Sequence, residues 1–246
     1  MGVLRNRCAL VTGGSRGIGA AIAQALAENG ADVAITYRKS AERAAEVVSA
    51  IEALGRRGFA VQADSADPRA VRRAVCETVE ALGGLDILVN SAAVASTGMI
   101  ADIDLRELQW VMDVNVLGPV AFAQAAIPYL PAGGRIISIG SALAERVPIP
   151  GITPYAMSKS ALLAFTRGLS RELGPHGITV NLVLPGSTDT DANPADGESA
   201  DFQRSLSSIG RFAAPREIAD AVVFLAGPAA AMVTGAGLTV DGGANA

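Results

Sequence analysis

Short apolar runs alternate with stretches of helical periodicity along almost the whole chain. Residues 8–12 are apolar at nearly every position, which is typical of a strand buried on both faces of a sheet. Ile18, Ile22 and Leu26 then recur at helical spacing, and Gly30 marks the end of that helix. The pattern therefore begins as strand, glycine-containing turn and helix.

The same alternation continues to the end of the sequence. It predicts further strands over residues 33–37, 59–63, 86–90, 135–141, 178–184 and 238–241, and helices over residues 41–54, 68–82, 104 to about 130, 155–173 and 215–225. Alternating strands and helices form a mostly parallel sheet whose carboxyl edge binds ligands. We therefore expect a single α/β domain over residues 1–246, a Rossmann-type doubly wound parallel sheet of about seven strands with helices on both faces.

Residues 186–210 interrupt this rhythm. Polar and turn-forming residues follow one another there, and only Phe202, Leu206 and Ile209 are large and apolar. A long irregular segment in a compact domain is usually a lid or a disordered loop. Since this one leaves the carboxyl end of the sixth predicted strand, we expect a mobile lid over the substrate. A tolerated surface insertion is the alternative.

Composition narrows the class of protein. Half of the 246 residues are hydrophobic and the net charge is −4, which disfavours a nucleic-acid partner. Cys8, Cys76 and the one histidine, His176, lack metal-ligand spacing, so we expect no metal, and both cysteines to be core residues in a reducing compartment. No targeting segment and no uninterrupted membrane-spanning run is evident. We expect a cytoplasmic protein outside the membrane.

The first turn has the context of a dinucleotide-binding loop, between a strand and a helix. Gly13, Gly17 and Gly19 would let the backbone approach a pyrophosphate, and the following helix offers free N–H groups to it. Because this spacing differs from the common G-x-G-x-x-G, an ordinary glycine-rich turn is the alternative.

The end of the second predicted strand indicates which dinucleotide binds. Enzymes that select NAD place an acid there, whereas this chain has Arg38, and Asp32 stands at the other end of the strand. Arg38 and Arg16 would both suit a 2′-phosphate. The sequence therefore predicts NADP(H), unless both arginines are ordinary surface residues.

Tyr155 and Lys159 are the strongest candidates for chemistry. Four positions apart on a helix, their side chains share one face. A nearby ammonium lowers the pKa of a phenol, which would supply a proton donor for carbonyl reduction near neutral pH. The spacing alone arises by chance in many helices, so its weight depends on the other motifs.

Together these motifs resemble the classical short-chain dehydrogenase/reductase family over essentially the whole chain. Asn115, Ser141 and the runs 90–93, 185–186 and 234–243 also match that family. The branch of 3-oxoacyl-[acyl-carrier-protein] reductases is the most similar, through the runs 134–141 and 210–212.

The resemblance implies a role for each catalytic residue. Tyr155 would protonate the carbonyl oxygen as NADPH delivers hydride, and Lys159 would lower the phenol pKa and bind the nicotinamide ribose. Ser141 would orient the substrate oxygen, and Asn115 would hold a water that links Lys159 to solvent. Alternatively, Ser141 caps backbone at a strand end and Asn115 bonds to its own helix.

The resemblance also implies cofactor contacts around the carboxyl edge. Asp64 would meet the adenine, Asn90 and Ala92 its ribose, and Thr188 and Thr190 the nicotinamide end, unless the threonines are only turn residues. The full expected set is Gly13, Ser15, Arg16, Gly17, Ile18, Gly19, Arg38, Asp64, Asn90, Ala92, Tyr155, Lys159, Pro185, Gly186, Thr188 and Thr190.

The expected reaction is the NADPH-dependent reduction of a ketone to a secondary alcohol. Prolines in residues 141–155, together with Phe202 and Leu206, suggest an apolar ketone pocket. A 3-oxoacyl-[acyl-carrier-protein] reductase is the alternative, weakened because Ala132 and His176 stand where such enzymes often have basic residues. A non-catalytic NADP-binding regulator is a further alternative. Ala93, which replaces a glycine usual in the family, leaves the shape of the cofactor floor open.

The resemblance further implies a homotetramer. Family members commonly pair the helix near 105–130 and the helix that starts at Tyr155. Small residues on these helices would permit close packing, namely Ala121, Ala125, Ala161 and Ala164.

Overall fold

All seven strands form one parallel sheet in the computed structural model, which describes residues 2–246. Their order is β3-β2-β1-β4-β5-β6-β7, so the chain reverses direction across the sheet between β1 and β4. The strands are β1 (Cys8–Val11), β2 (Asp32–Tyr37), β3 (Gly58–Gln62), β4 (Ile87–Asn90), β5 (Arg135–Ile139), β6 (Thr179–Pro185) and β7 (Gly237–Val240). The predicted Rossmann-type fold is confirmed.

Helices cover both faces of this sheet. They are α1 (Gly17–Glu28), α2 (Ala41–Ala53), α3 (Pro68–Leu82), α4 (Leu105–Met112), α5 (Gly118–Ala126), α6 (Thr153–Leu173), α7 (Ala200–Leu206) and α8 (Pro215–Ala226). Helices α1, α2 and α8 pack their apolar side chains against one face of the sheet. Helices α3, α5 and α6 pack against the opposite face. Central strands are consequently buried on both sides, which is why their sequences are apolar without alternation.

Strand β1 shows how the sheet divides the core. Ala9 and Val11 point into the cluster beneath α1 and α8, where Ile22 and Val222 lie. Leu10 points into the opposite cluster, with Phe122 of α5. Each apolar side chain of this strand is thus withdrawn from water, and burial of such side chains is the main favourable term in folding.

The long helix expected from residue 104 to about 130 is interrupted. Helix α4 passes into a π-helical turn, Asp113–Leu117, before α5 begins, and a 3₁₀ turn, Ile127–Tyr129, follows α5. Pro119 has no N–H for the carbonyl of Asn115 four residues earlier, and its ring would clash there in a continuous α-helix. The wider turn accommodates the proline, and it places Asn115 in a π segment of the kind often found at functional sites.

This interrupted segment, Leu105–Tyr129, is long and apolar enough to span a membrane by length and composition, with a mean hydropathy of 1.3. Part of it nevertheless packs into the core, whereas Leu105 and Leu117 are exposed. Phe122 and Ala126 are buried in the same cluster as Val71 of α3. The segment is therefore a packed helical layer of this domain.

Two further expectations from the sequence are corrected. The 186–210 segment is not irregular throughout, because residues 200–206 form α7, which Gln203 joins to the preceding loop through two amide hydrogen bonds of 2.9 Å with Asn193. Cys76 is exposed rather than buried, since it lies on the outer face of α3, with its sulfur 3.7 Å from the hydroxyl of Tyr129. Cys8 is buried as expected.

Candidate active site

A cavity of about 820 Å³ opens at the carboxyl edge of the sheet, around the point where the chain changes direction. The loops that follow β1, β2, β3, β4, β5 and β6 all contribute to it. Among the residues expected to bind a cofactor, those that line it are Gly13, Ser15, Arg16, Gly17, Ile18, Gly19, Arg38, Asp64, Ala92, Tyr155, Lys159, Pro185, Gly186, Thr188 and Thr190. Residues far apart in the chain therefore converge where the pattern of strands and turns predicts a ligand.

The glycine loop between β1 and α1 is too crowded for side chains. A Cβ at Gly19 would lie 2.4 Å from the carbonyl oxygen of Gly13, and one at Gly13 would lie 2.8 Å from the Cα of Ala92. Gly13 also has a left-handed φ of 64°. Its N–H donates to the hydroxyl of Thr36, 3.1 Å away, which fixes the loop against β2. The backbone is thus exposed to the cavity with no side chain in front of it.

Two cations stand at one end of the cavity. Arg16 is the N-cap residue of α1, and Arg38 follows β2 with its guanidinium carbon 5.5 Å from the ring centroid of Trp110. Asp32 lies at the opposite end of β2, where it pairs with Arg56 and Arg57 at 2.5 and 2.7 Å. The end of the cavity that would hold a ribose 2′-substituent therefore has two arginines.

Tyr155 and Lys159 lie one turn apart on α6, and both face the cavity. Lys159 is only 3% exposed, and its ammonium donates to the carbonyl of Ile139, 2.9 Å away, at the end of β5. The same nitrogen lies 5.6 Å from the centroid of the Tyr155 ring. The predicted pair is thus assembled, with the ammonium beside the phenol ring.

Ser141 lies two residues beyond β5, in the cavity wall, rather than within the strand as expected. Its hydroxyl accepts from the N–H of Leu143 at 3.1 Å, so it caps the 3₁₀ turn Ala142–Ala144. Its side chain also lies near that of Tyr155 and acts to lower the pKa of the phenol. Ser141 therefore caps a turn and also lies where a catalytic residue is expected.

The pKa values in this site differ from the sequence-based expectation. Burial raises the pKa of Tyr155, and the hydrogen bond with Ser141 only partly opposes that rise. Burial lowers the pKa of Lys159 to about 8. The expected net lowering of the phenol pKa is therefore not found in this structure, because desolvation of the phenol is the largest effect on it. Tyr155 is held protonated at neutral pH, ready to donate.

Asn90 and Asn115 lie behind the cavity wall rather than in it. The Asn115 amide bonds both backbone groups of Val94, donating to the carbonyl at 2.8 Å and accepting from the N–H at 2.9 Å, and donates to Ser158 at 3.0 Å. It thereby fixes the loop after β4 to α6. The Oδ1 of Asn90 is buried without a hydrogen-bond partner. The water-holding and ribose-binding roles of these two residues stay predictions.

Several cavity residues were not anticipated from the sequence. Arg146 lies on the turn after Ser141, and Ala244 and Asn245 come from the segment after β7. No local motif marks them, because the loops after β5 and β7 reach the cavity only through the packing of the sheet. The nearest signal is the run Asp241-Gly242-Gly243, whose glycines indicate a tight reversal at that point. Among residues 2–246, no cluster of His, Cys, Asp and Glu is arranged to hold a metal ion.

Comparison with known proteins agrees with this geometry. Residues 13–245 match the family described as enoyl-(acyl carrier protein) reductase. A short-chain dehydrogenase from Burkholderia cenocepacia J2315, solved in complex with NADP, is 57% identical with a TM-score of 0.98, over 99% of this chain and 100% of its own. A blue fluorescent protein from a metagenomic library, solved with NADPH, is 50% identical with a TM-score of 0.97, over the same shares.

A further relative has a different description. The cyclic-di-GMP-binding biofilm dispersal mediator protein of Escherichia coli K12 is 42% identical over 242 residues, which is 98% of both chains. Catalytic and regulatory descriptions therefore both occur among proteins similar to this one.

Proposed function

Because this chain belongs to the classical short-chain dehydrogenase/reductase family, we propose that it reduces a ketone to a secondary alcohol with NADPH. The single observation that carries the proposal is the assembly of Ser141, Tyr155 and Lys159 in one cavity beside a glycine loop. NADPH, when bound, supplies the hydride for the carbonyl carbon. The protein has to hold both reactants and supply the proton.

The cavity fits a phosphorylated dinucleotide. Gly13 and Gly19 leave bare backbone where a Cβ would already clash, and α1 directs its free N–H groups to the same place. Arg16 and Arg38 suit the 2′-phosphate, and the similar Burkholderia and metagenomic proteins are solved with NADP or NADPH. Asp64 would meet the adenine end, and Thr188 and Thr190 the nicotinamide end.

The catalytic residues divide the proton transfer among them. Tyr155, kept protonated by burial, donates its hydroxyl proton to the oxygen of the ketone. Ser141, which lines the same cavity as Tyr155, holds that oxygen through a hydrogen bond. The ammonium of Lys159, anchored on Ile139, stabilises the phenolate that the transfer leaves. Asn115 would resupply the proton through a water.

The substrate half of the cavity is mostly apolar. Leu143, Ile149 and Ile152 line one side, and Phe202 and Leu206 of α7 line the other. Such walls favour a hydrophobic ketone that is shielded from water by the lid. Pro148 stiffens the first wall by restricting the backbone.

Tyr155→Phe tests the proposal. Removing one hydroxyl takes away the proton donor, so turnover of a panel of cyclic, aryl and β-keto ketones should fall by about 10²–10⁴-fold. Binding of NADPH, followed by its fluorescence, should stay within about twofold, because Tyr155 is one of many cavity residues. Unchanged turnover in the variant would refute the assignment.

A 3-oxoacyl-[acyl-carrier-protein] reductase is the second candidate, and the acyl-carrier description of the matching family favours it. Reduction of an acyl-carrier thioester much faster than of free ketones would select this candidate. Ala132 and His176 occupy positions where such reductases often have basic residues, which weakens the expected attraction for an acidic carrier protein. This argues for the free ketone.

A regulator is the third candidate, favoured by the description of the Escherichia coli relative. It predicts that cyclic di-GMP binds and that wild-type protein turns over no ketone. Calorimetric titration with cyclic di-GMP, with and without NADPH, separates this candidate from the two enzymes.

We also propose that the protein is a cytoplasmic homotetramer. Cys8 and Cys76 are free, as a reducing compartment requires. A surface groove between α5 and α6, lined by Val120, Ile127 and Phe165, offers apolar area for a second copy.

A further inference from the structure

The segment 241–245, which follows β7, folds back sharply into the substrate half of the cavity. The Asp241 carboxylate accepts hydrogen bonds from the N–H groups of Gly243 and Asn245, at 2.9 and 3.0 Å. Gly242 and Gly243 both have left-handed φ angles, of 65° and 79°. The reversal brings Ala244 and Asn245 into the cavity wall.

On one side, this segment is fastened to the turn that carries Ser141. The Asn245 amide donates to the carbonyl of Ala142 at 2.8 Å, and the guanidinium of Arg146 donates to the carbonyl of Ala244 at 2.6 Å. The same Ala142 carbonyl accepts from the N–H groups of Glu145 and Arg146, at 3.1 and 3.3 Å. Asn245 thus completes the set of donors that shapes the 142–146 turn.

On the other side, the segment is fastened to the end of the lid, residues 207–209. Ser207 donates through its hydroxyl to the carbonyl of Gly242 at 3.1 Å, and Ile209 donates through its N–H to the same oxygen at 3.1 Å. Ser208 donates to Gly243 at 3.1 Å. A Cβ at Gly242 would lie 2.5 Å from the Ser207 hydroxyl, so the two segments are in tight contact.

A third contact ties the segment to the cofactor half of the cavity. A Cβ at Gly186, just after β6, would lie 2.7 Å from the Cα of Asp241. The segment therefore touches the Ser141 turn, the lid and the end of β6 within five residues.

We propose that segment 241–245 mechanically joins the lid to Ser141, and that Asn245 is the positioning residue of this link. When the lid closes over a substrate, residues 207–209 keep their hydrogen bonds to segment 241–245. The Asn245 amide in turn keeps its hydrogen bond to the Ala142 carbonyl. Ser141 is thereby kept where its hydroxyl meets both Tyr155 and the ketone oxygen. The kinetic part of this inference rests on the proposed ketone reductase, and the structural part does not.

Asn245→Asp is the sharpest test, because it keeps the size of the side chain and replaces its donor group with a carboxylate. The kcat/KM for the ketone should fall about tenfold or more through misplaced Ser141, whereas the Kd for NADPH should change by less than about twofold. Amide hydrogen exchange should rise by about threefold or more at Glu145 and Arg146, and also at Ile209.

Ser207→Ala attacks the link from its other end, and it covers the case in which N245D fails to fold. It should raise exchange at Glu145 and Arg146, although neither residue contacts Ser207. The two variants should be non-additive in kcat/KM, as expected for residues in one network. Ser205→Ala is the matched control, since that hydroxyl bonds within α7 to Phe202 at 2.7 Å and touches no part of segment 241–245.

Exchange changes confined to residues 244–246, or strictly additive variants, would overturn the link. If the wild-type protein turns over no ketone, the proposed function fails, and hydrogen exchange still decides whether segment 241–245 couples the lid to the 142–146 turn.

Discussion

At the scale of single residues, burial controls the charges of the two central groups in opposite ways. The pKa of Tyr155 is raised by desolvation, so the phenol keeps its proton, and the pKa of Lys159 is lowered to about 8. Both shifts disfavour charge, as a low-dielectric cavity should. The protein therefore holds a neutral donor next to an ammonium whose pKa is about 8.

This gives a pH dependence whose sign follows from Lys159. Below pH 8 its ammonium is present, and above pH 8 it is lost, so kcat/KM for ketone reduction should decline above a midpoint near 8. Between that pH and the ordinary lysine pKa, the unfolded chain binds more protons, so this group makes the folded state more stable as pH rises.

Measuring pH profiles of kcat/KM and of thermal unfolding together checks the assignment. Activity should fall in a range where the protein stays folded. Lys159→Met should remove the decline near pH 8 along with most of the activity. A midpoint that survives in that variant would show that another group titrates.

Selectivity between NADPH and NADH is also a property of single residues. Arg38→Asp should reduce the preference for NADPH by about tenfold or more, because it removes a cation from the 2′-phosphate and adds a repelling charge. Titrations with both cofactors measure the ratio of the two Kd values. Arg72→Asp makes the same charge change on the exposed face of α3, outside the cavity, and should leave that ratio unaltered.

At the scale of elements, the glycine loop is set by packing as much as by ligand binding. Gly19 is buried at the start of α1, and its missing side chain is what lets the loop fold back on Gly13. An equivalent requirement appears at segment 241–245, where glycines allow contact with residues 207–209. In both places, the backbone of one element lies directly against its neighbour.

Gly19→Ala should therefore damage both binding and stability. The added methyl would lie 2.4 Å from the Gly13 oxygen, and overpacking of this kind costs about 1–3 kcal/mol. We expect a lower thermal midpoint and at least roughly tenfold weaker NADPH binding, read by calorimetry and fluorescence. Gly84→Ala is the control, because a Cβ there meets open space; equal loss in both variants would contradict the packing argument.

The interrupted helix shows where patterns along the chain mislead. Apolar periodicity persists from Leu105 past Phe122, and it predicts one helix. Pro119 changes the backbone hydrogen bonds without changing the apolar periodicity. The periodicity therefore does not predict the π turn at Asn115. Helix α7 shows the reverse case, in which a helix forms although the sequence has no helical period. Its seven residues are too few to show a period, and its contacts with Asn193 make up for its weak sequence signal.

At the scale of the whole molecule, the outer surface of α5 and α6 is the expected site of assembly. Gly168 and Ala164 are exposed in the groove between these helices, beside Phe165. Small residues allow two helices to approach closely, and symmetric pairing of such faces is the commonest route to closed oligomers.

Gly168→Arg should dissociate the proposed tetramer without unfolding the protomer. A Cβ at Gly168 meets no atom within 4 Å in one chain, so only a second copy would clash with the new side chain. Sedimentation velocity should show smaller species than the wild type, with an unchanged far-ultraviolet circular dichroism spectrum. Gly84→Arg supplies the matched control. A monomeric wild-type protein at micromolar concentration would refute the tetramer.

The sequence by itself determined the alternation of strands and helices and the parallel sheet they form, and it indicated many of the residues that line the cavity. Buried parallel strands must be continuously apolar, which makes them visible in the sequence. The glycines of the first turn, Arg16 and Arg38, and the Tyr155–Lys159 spacing are local signals that can be read directly from the sequence. Only the tertiary structure decided the pKa of Tyr155, the position of Asn115 behind the wall, and the arrival of Asn245 beside Ala142. Desolvation and contacts between distant segments depend on what packs around a group, and a linear pattern does not contain that information.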